Sequence, residues 1–172
     1  MHRHYGPPWS ARDRETLLQD TAWLAPTLLG CQSWRDVSPK MLTEALWGDL
    51  SWSERQRLDH VLPERIAIPS GRQAKLRYDD EEVVLPVKLQ EMFGGITGPH
   101  VLGGEVPVTL ELLSPAGRPL QRTRDLKGFW EGSYADVRRE MRGRYPKHPW
   151  PDDPSQATPT AFTKRKQQQK EG

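Results

Sequence analysis

The stretch Gly143-Arg144-Tyr145-Pro146-Lys147-His148-Pro149-Trp150-Pro151-Asp152-Asp153-Pro154 sets guanidinium, ammonium, imidazole and aromatic groups along a backbone that four prolines stiffen and keep out of helix. Arg138, Arg139 and Arg142 come just before it. Arginine and lysine neutralise phosphates, and Tyr145, His148 and Trp150 offer rings to unpaired bases, each stack contributing about 1–3 kcal/mol. A second use of the same residues stays open. Tyr145 and Trp150 can instead lay the proline-rich strap over the domain core and leave its charges on a solvated surface.

Other chemistry finds no residue set. A phosphate-binding loop needs glycines followed by Lys and Ser or Thr, and the chain contains no Gly-Lys pair. Gly94-Gly95-Ile96-Thr97-Gly98 follows a helical pattern instead of a strand, so it reads as a loop and not as a dinucleotide fingerprint. Histidines 2, 4, 60, 100 and 148 form no helix-spaced pair with a carboxylate, and the lone Cys31 cannot build a zinc cluster. No nucleophile elbow of the Gly-x-Ser-x-Gly type occurs. His148 has the chemistry of a general base, but between Lys147 and Pro149 it fits better as a hydrogen-bond partner of a backbone group or an anion. The residues thus supply no catalytic group, cofactor site or metal site.

Composition sets the scale. With 172 residues, 35% hydrophobic and a mean hydropathy of −0.79, the core must be modest, and seven Trp, four Tyr and three Phe offset this in part. Net charge is +2, but from Arg118 to His148 nine Lys and Arg face four Asp and Glu, so the cationic field sits in the C-terminal third. No apolar run approaches the roughly 20 residues of a membrane span. The first residues lack a hydrophobic signal region, and the single cysteine suits a reducing compartment, so a cytoplasmic protein is expected.

Helix and strand signals run ahead of the basic segment. Ser10 with Asp13 predicts a helix start ahead of Leu17, Leu18, Thr21, Ala22, Leu24 and Ala25, disturbed by Pro26 and ended by Gly30. Ser38-Pro39 predicts a second helix with Met41, Leu42, Ala45 and Leu46 on one face and Gly48 as its stop. Ser53 opens a third, ended by Pro63, and Trp23, Trp34, Trp47 and Trp52 are expected packing anchors. After Pro63 the period becomes two: Ile66 to Ile68, a Ser70-Gly71 turn, and Ala74 to Tyr78 predict a hairpin. Asp79 to Glu82 is expected to be an acidic, solvated turn. Val83 to Leu85 predicts a short strand, Pro86 the start of a helix through Phe93, and Val106 to Leu113 the longest strand. Thr123 and Ser133 are expected caps of two helices, the second running from Tyr134 to Arg142 and ending at Gly143, with Tyr134, Val137 and Met141 on its packing face.

Together these patterns predict an α+β protein: a flexible N-terminus (1–9), a helical module (10–63), and a domain (64–154) with a small antiparallel sheet and helices on one face. A disordered polar and basic tail (155–172) follows.

Four blocks of residues also carry a family resemblance. Pro86 to Gly94, Val106 to Val108 with Leu112 to Gln121, the pairs Asp125-Leu126, Phe129-Trp130, Ser133-Tyr134 and Val137-Arg138, and the run Arg142 to Pro151 resemble the C-terminal domain of HrpB-type ATP-dependent helicases, bacterial relatives of the DEAH-box RNA helicases. The resemblance covers roughly residues 10 to 154. It implies an accessory role in a longer machine in which two RecA-like lobes use ATP and Mg to move along RNA, with those motor domains as partners in cis or in trans. This chain lacks the Walker A segment, the DEAH box and the arginine finger, so no catalytic residue carries over and no enzyme activity is expected of it alone. The nucleic-acid-binding candidates are Arg138, Arg139, Arg142, Arg144, Lys147, His148, Tyr145 and Trp150. The competing expectation is a protein-docking scaffold that never touches nucleic acid.

Overall fold

The computed structural model describes residues 2–6, 9, 11–48, 50–79 and 81–163, which fall into two compact units, Met1–His60 and Val61–Gly172. The expected Ser10 cap, Asp80 of the acidic turn and residues 164–172 of the expected tail lie outside the described residues.

The first unit is helical: α1 (His2–Tyr5), α2 (Arg14–Gln19), α3 (Ala25–Leu28), α4 (Pro39–Trp47) and α5 (Trp52–Val61). Asp13 itself caps α2, its Oδ1 accepting from the Thr16 amide at 3.0 Å. The single long helix expected here is instead α2, a 3-10 turn at Ala22–Leu24 and α3. The break falls at Asp20, whose extended backbone ends α2 and whose Oδ1 accepts from the Ala22 amide at 2.9 Å, and Pro26 then sits in the first turn of α3, where its missing amide would be unpaired anyway. Ser38 caps α4 as expected, with Oγ accepting from the Met41 amide at 3.2 Å, and Gly48 closes it. Helix α5 starts from Ser51, not Ser53. The Glu54 amide donates to Ser51 Oγ at 3.3 Å and the Ser51 amide to Glu54 Oε2 at 2.7 Å, a reciprocal cap.

Two of the four tryptophans expected as anchors do not pack. Trp34 and Trp52 are 75% and 73% exposed, while Trp23 and Trp47 are half-buried. Trp23 Nε1 donates to the Leu17 carbonyl at 3.0 Å, and the Arg55 guanidinium lies over the Trp47 ring at 6.0 Å. The segment expected to be flexible contains α1 and the buried Trp9, whose carbonyl meets His2 Nδ1 at 2.5 Å.

The second unit is α+β. Strands β1 (Arg65–Ala67) and β2 (Gln73–Lys75) form the expected hairpin, closed by a bond from the Gly71 amide to the Ile68 carbonyl at 2.8 Å. β3 (Arg77–Tyr78), β4 (Val83–Lys88), β7 (Thr109–Leu113) and β8 (Pro119–Thr123) make a four-stranded sheet in the order β3-β4-β7-β8, and the pair β5 (His100–Val101) and β6 (Val106–Pro107) stands apart. β4 and β7 run parallel while the flanking pairs run antiparallel, so the sheet is mixed. Parallel neighbours need a crossover, and here the chain from Leu89 to Val108 provides it.

Three local expectations give way to this topology. β4 runs through Pro86, and only a 3-10 turn, Leu89–Met92, follows where a helix was expected. β3 pairs only with Val83 and Val84, so Pro86 lies where β4 has a single neighbour and its missing donor costs little. The long strand expected from Val106 to Leu113 breaks at Val108, whose amide donates to the Pro99 carbonyl, leaving β4 the longest among the described residues. β8 had no counterpart in the sequence reading.

Alternation then sorts the sheet's two faces. Leu85 opposite Leu110 and Val87 opposite Leu112 are fully buried, while Pro86 opposite Glu111 and Lys88 opposite Leu113 are partly open. Beyond β4, Phe93 joins the rings of helices α6 (Leu126–Glu131) and α7 (Tyr134–Arg144): it lies 6.1 Å from Trp130 and 6.4 Å from Tyr134. Asp125, not Thr123, caps α6, accepting from the Gly128 amide at 2.8 Å.

Candidate nucleic-acid interface

The eight candidate residues lie on α7 and on the strap that follows it. The inner side of α7 is apolar as expected. Tyr134 and Met141 are buried, with Tyr134 edge-on to Trp130 at 5.4 Å and to Phe129 at 6.2 Å. Ser133 occupies the cap position without a side-chain bond, and Gly143 is inside the helix, which runs on to Arg144. The Tyr145 amide closes it on the Met141 carbonyl at 2.7 Å.

The strap is bonded down along its length. The Tyr134 hydroxyl donates to the Pro151 carbonyl at 2.8 Å, Trp150 Nε1 to the Tyr145 carbonyl at 3.0 Å, and the Gly94 amide to the Pro154 carbonyl at 2.9 Å. Gly94 has φ +74°, and a Cβ there would stand 3.2 Å from the Ala157 carbonyl, so the strap needs glycine at this point. The packed stretch continues past residue 154, where the polar tail was expected to begin. Thr160 is buried and its amide donates to the Gln90 carbonyl at 2.9 Å.

This arrangement divides the candidates. Trp150 is 6% exposed and holds the strap to the fold, so its ring is not free to stack on a base. Arg138 also turns inward, with Nε donating to the Trp150 carbonyl at 3.0 Å and Nη2 meeting Asp152 Oδ1 at 2.5 Å. Tyr145 and His148 are half-buried and meet edge to face at 6.4 Å. Burial, and then the charge of Lys88, hold the His148 imidazole below its ordinary pKa, so near neutrality the ring is an uncharged donor and acceptor.

The remaining cations point to solvent. Arg139 pairs with Asp136 at 3.1 Å and Arg144 with Glu140 at 3.6 Å, both as exposed pairs of one helix that hold little energy. Arg142 and Lys147 have no ion pair among the described residues. Ala135, Arg138, Arg139, Arg142 and Gly143, at helical spacing, line an open depression of about 500 Å³. The arginines are among the residues expected from sequence, whereas the small residues Ala135 and Gly143 that leave room between them are not, although the spacing 135, 138, 139, 142 signals the shared face.

The sheet's open face is a contrasting case. Arg122 pairs with Glu82 at 2.6 Å and lies 4.0 Å from Glu111. Arg124 meets Glu82 at 3.7 Å, and Arg77 meets Asp79 at 3.0 Å and Glu111 at 3.6 Å. Three arginines there face three carboxylates, whereas on α7 and the strap Arg142 and Lys147 carry no ion pair among the described residues. Among the described residues no cluster of His, Cys, Asp or Glu is suited to a metal ion, and no helix is long and apolar enough to cross a membrane.

Comparison with known proteins places the chain in a family. A family described as the ATP-dependent helicase C-terminal domain matches residues 23–154. The chain is 48% identical over 159 residues to the ATP-dependent RNA helicase HrpB of Escherichia coli strain K12, covering 91% of this chain and 20% of that protein. Its fold superposes on a crystal structure of the E. coli DExH-box NTPase HrpB with a TM-score of 0.78 at 48% identity, over 90% of this chain and 19% of the other. On a second crystal structure, of the E. coli DEAH/RHA helicase HrpB, the TM-score is 0.61 at 46% identity, over 83% and 18%. The chain spans about a fifth of the length of the relatives it matches.

Proposed function

Because the chain belongs to the ATP-dependent helicase C-terminal family, we propose that it is the C-terminal accessory domain of a cytoplasmic ATP-dependent RNA helicase and contributes RNA backbone contacts through α7 and the strap. The observation that carries this reading is a row of exposed cations on α7 and the strap, Arg139, Arg142, Arg144 and Lys147, of which Arg139 and Arg142 line an open depression and Arg142 and Lys147 have no ion pair among the described residues, while Arg77, Arg122 and Arg124 on the sheet face are all paired with acids. His148 and Tyr145 supply polar edges beside them, and Arg138 and Trp150 support the surface from within. The chain itself turns over no nucleotide; ATP and Mg belong to the motor domains, in cis or in trans.

The test is fluorescence anisotropy with labelled single-stranded RNA. Four phosphate contacts give a log K against log salt slope of about −3. Arg142→Glu with Arg144→Glu is expected to abolish binding, and salt-insensitive or absent binding by the unaltered chain overturns the reading.

A second reading, docking on the motor lobes, is favoured by a different region. In the first unit Leu29, Trp34 and Trp52 are exposed, and a cleft of about 840 Å³ is lined in part by Leu17, Trp23, Leu29 and Met41. Exposed apolar groups of this kind mark interaction surfaces. Trp34→Ala with Trp52→Ala is expected to weaken capture of separately expressed motor lobes and to leave RNA binding intact.

A further inference from the structure

Arg138 lines the basic depression, yet its charge is already taken. Its Nη2 meets Asp152 Oδ1 at 2.5 Å, and while the Arg138 side chain is 24% exposed, that of Asp152 is 90% exposed. Asp152 has no other ion pair among the described residues. Its neighbour Asp153 is engaged differently, with Oδ1 accepting from the Ser155 amide at 2.9 Å and the Ser155 hydroxyl at 2.6 Å. The backbone on either side of Asp152 is bonded down, by Tyr134 at Pro151 and by Gly94 at Pro154, which keeps Asp152 beside Arg138. The Nε bond to the Trp150 carbonyl fixes the guanidinium as well, leaving the Nη edge to choose its partner.

We infer that Asp152 is a built-in counter-anion, exchanged for a backbone phosphate when RNA binds, so that Arg138 joins Arg139 and Arg142 as a three-arginine clamp. The inference rests on the proposed RNA-binding role of this face. An ion pair with one partner so exposed is weak, and a phosphate replaces its charge-assisted bonds with others of the same kind while also reaching Arg139 and Arg142, which line the same depression. A free protein built this way presents a lower positive charge to stray anions, and full charge is uncovered only by a ligand that also engages Arg139 and Arg142.

The experiment is a double-mutant cycle in the full chain, read by anisotropy with single-stranded RNA at fixed salt. Asp152→Asn is expected to tighten binding about threefold to fivefold, the range of an exposed ion pair. Asp153→Asn, an equal change of charge that leaves Arg138 paired, should change affinity far less. The gain from Asp152→Asn should vanish in an Arg138→Gln background. In parallel, the side-chain Nε–H resonance of Arg138 in the unaltered chain should shift when RNA is added, a readout that does not depend on any variant folding. If Asp152→Asn leaves affinity unchanged, or matches Asp153→Asn, the exchange is wrong while the RNA-binding role stands, provided that Arg142→Glu with Arg144→Glu still abolishes binding. If Arg142→Glu with Arg144→Glu has no effect, both fall together.

Discussion

The two units spend their aromatic residues in opposite ways. Five of the seven tryptophans lie in the first sixty residues, yet among the described residues there only Trp9 is buried. The second unit holds just Trp130 and Trp150, and both are buried with Phe93, Phe129 and Tyr134 close by Trp130. The difference is one of architecture. Helices of four to ten residues with partly exposed faces do not enclose a core, whereas parallel β4 and β7 present a two-strand apolar face that a ring cluster can extend. A closed core frees the surface of the second unit for charge. An open set of helices leaves Leu29, Trp34 and Trp52 of the first exposed.

The largest expected effect breaks the core that defines the second unit. Phe93→Ala should cost about 3–5 kcal/mol in urea unfolding, since a fully buried ring at a three-way aromatic junction leaves a cavity. A somewhat smaller loss is expected at Arg72, which meets the buried Glu91 carboxylate at 2.6 and 2.9 Å. Arg72→Met strands that carboxylate and should cost about 3 kcal/mol, much of it recovered when Glu91→Met is added.

The first unit should respond on a smaller scale. Ser38→Ala removes the α4 cap and should cost about 1 kcal/mol. Trp34→Ala should change unfolding by no more than about 0.5 kcal/mol, because the ring packs against little. A loss of several kcal/mol there would erase the contrast between the units.

His148 gives the contrast a pH signature. Its folded pKa is depressed, so the unfolded chain binds the proton more readily. Stability from this group is therefore full above the ordinary histidine value of about 6.5 and drains as pH falls below it toward the lower folded value. Melting temperatures followed through that window should decline in the unaltered chain and decline less in His148→Gln.

Local signals were legible where one residue decides the geometry. Ser38-Pro39, the Gly71 turn and the packing face of α7 stood in the sequence because a cap, a positive φ and a helical period are each local. The parallel pairing of β4 with β7 was not, since it joins strands some twenty residues apart and no local pattern states the direction. Pro119-Leu120-Gln121-Arg122-Thr123 was missed as β8 because a proline start and mixed polarity resemble a turn, and its pairing with β7 decides otherwise. For the interface, the basic residues were visible but their division was not. Trp150 is buried against the Tyr145 carbonyl and Arg138 is tied to the Trp150 carbonyl and the exposed Asp152, which only the folded strap reveals. The family resemblance read from four blocks agrees with the match over residues 23–154.

The division of labour between the units is tested most directly by backbone amide NMR of the full chain during titration with single-stranded RNA. Perturbations should cluster from Ala135 to His148, with the first sixty residues and the open sheet face around Arg122 left silent. Shifts confined to Trp34, Trp52 and their neighbours, or to the sheet face, with α7 unmoved, would contradict the account.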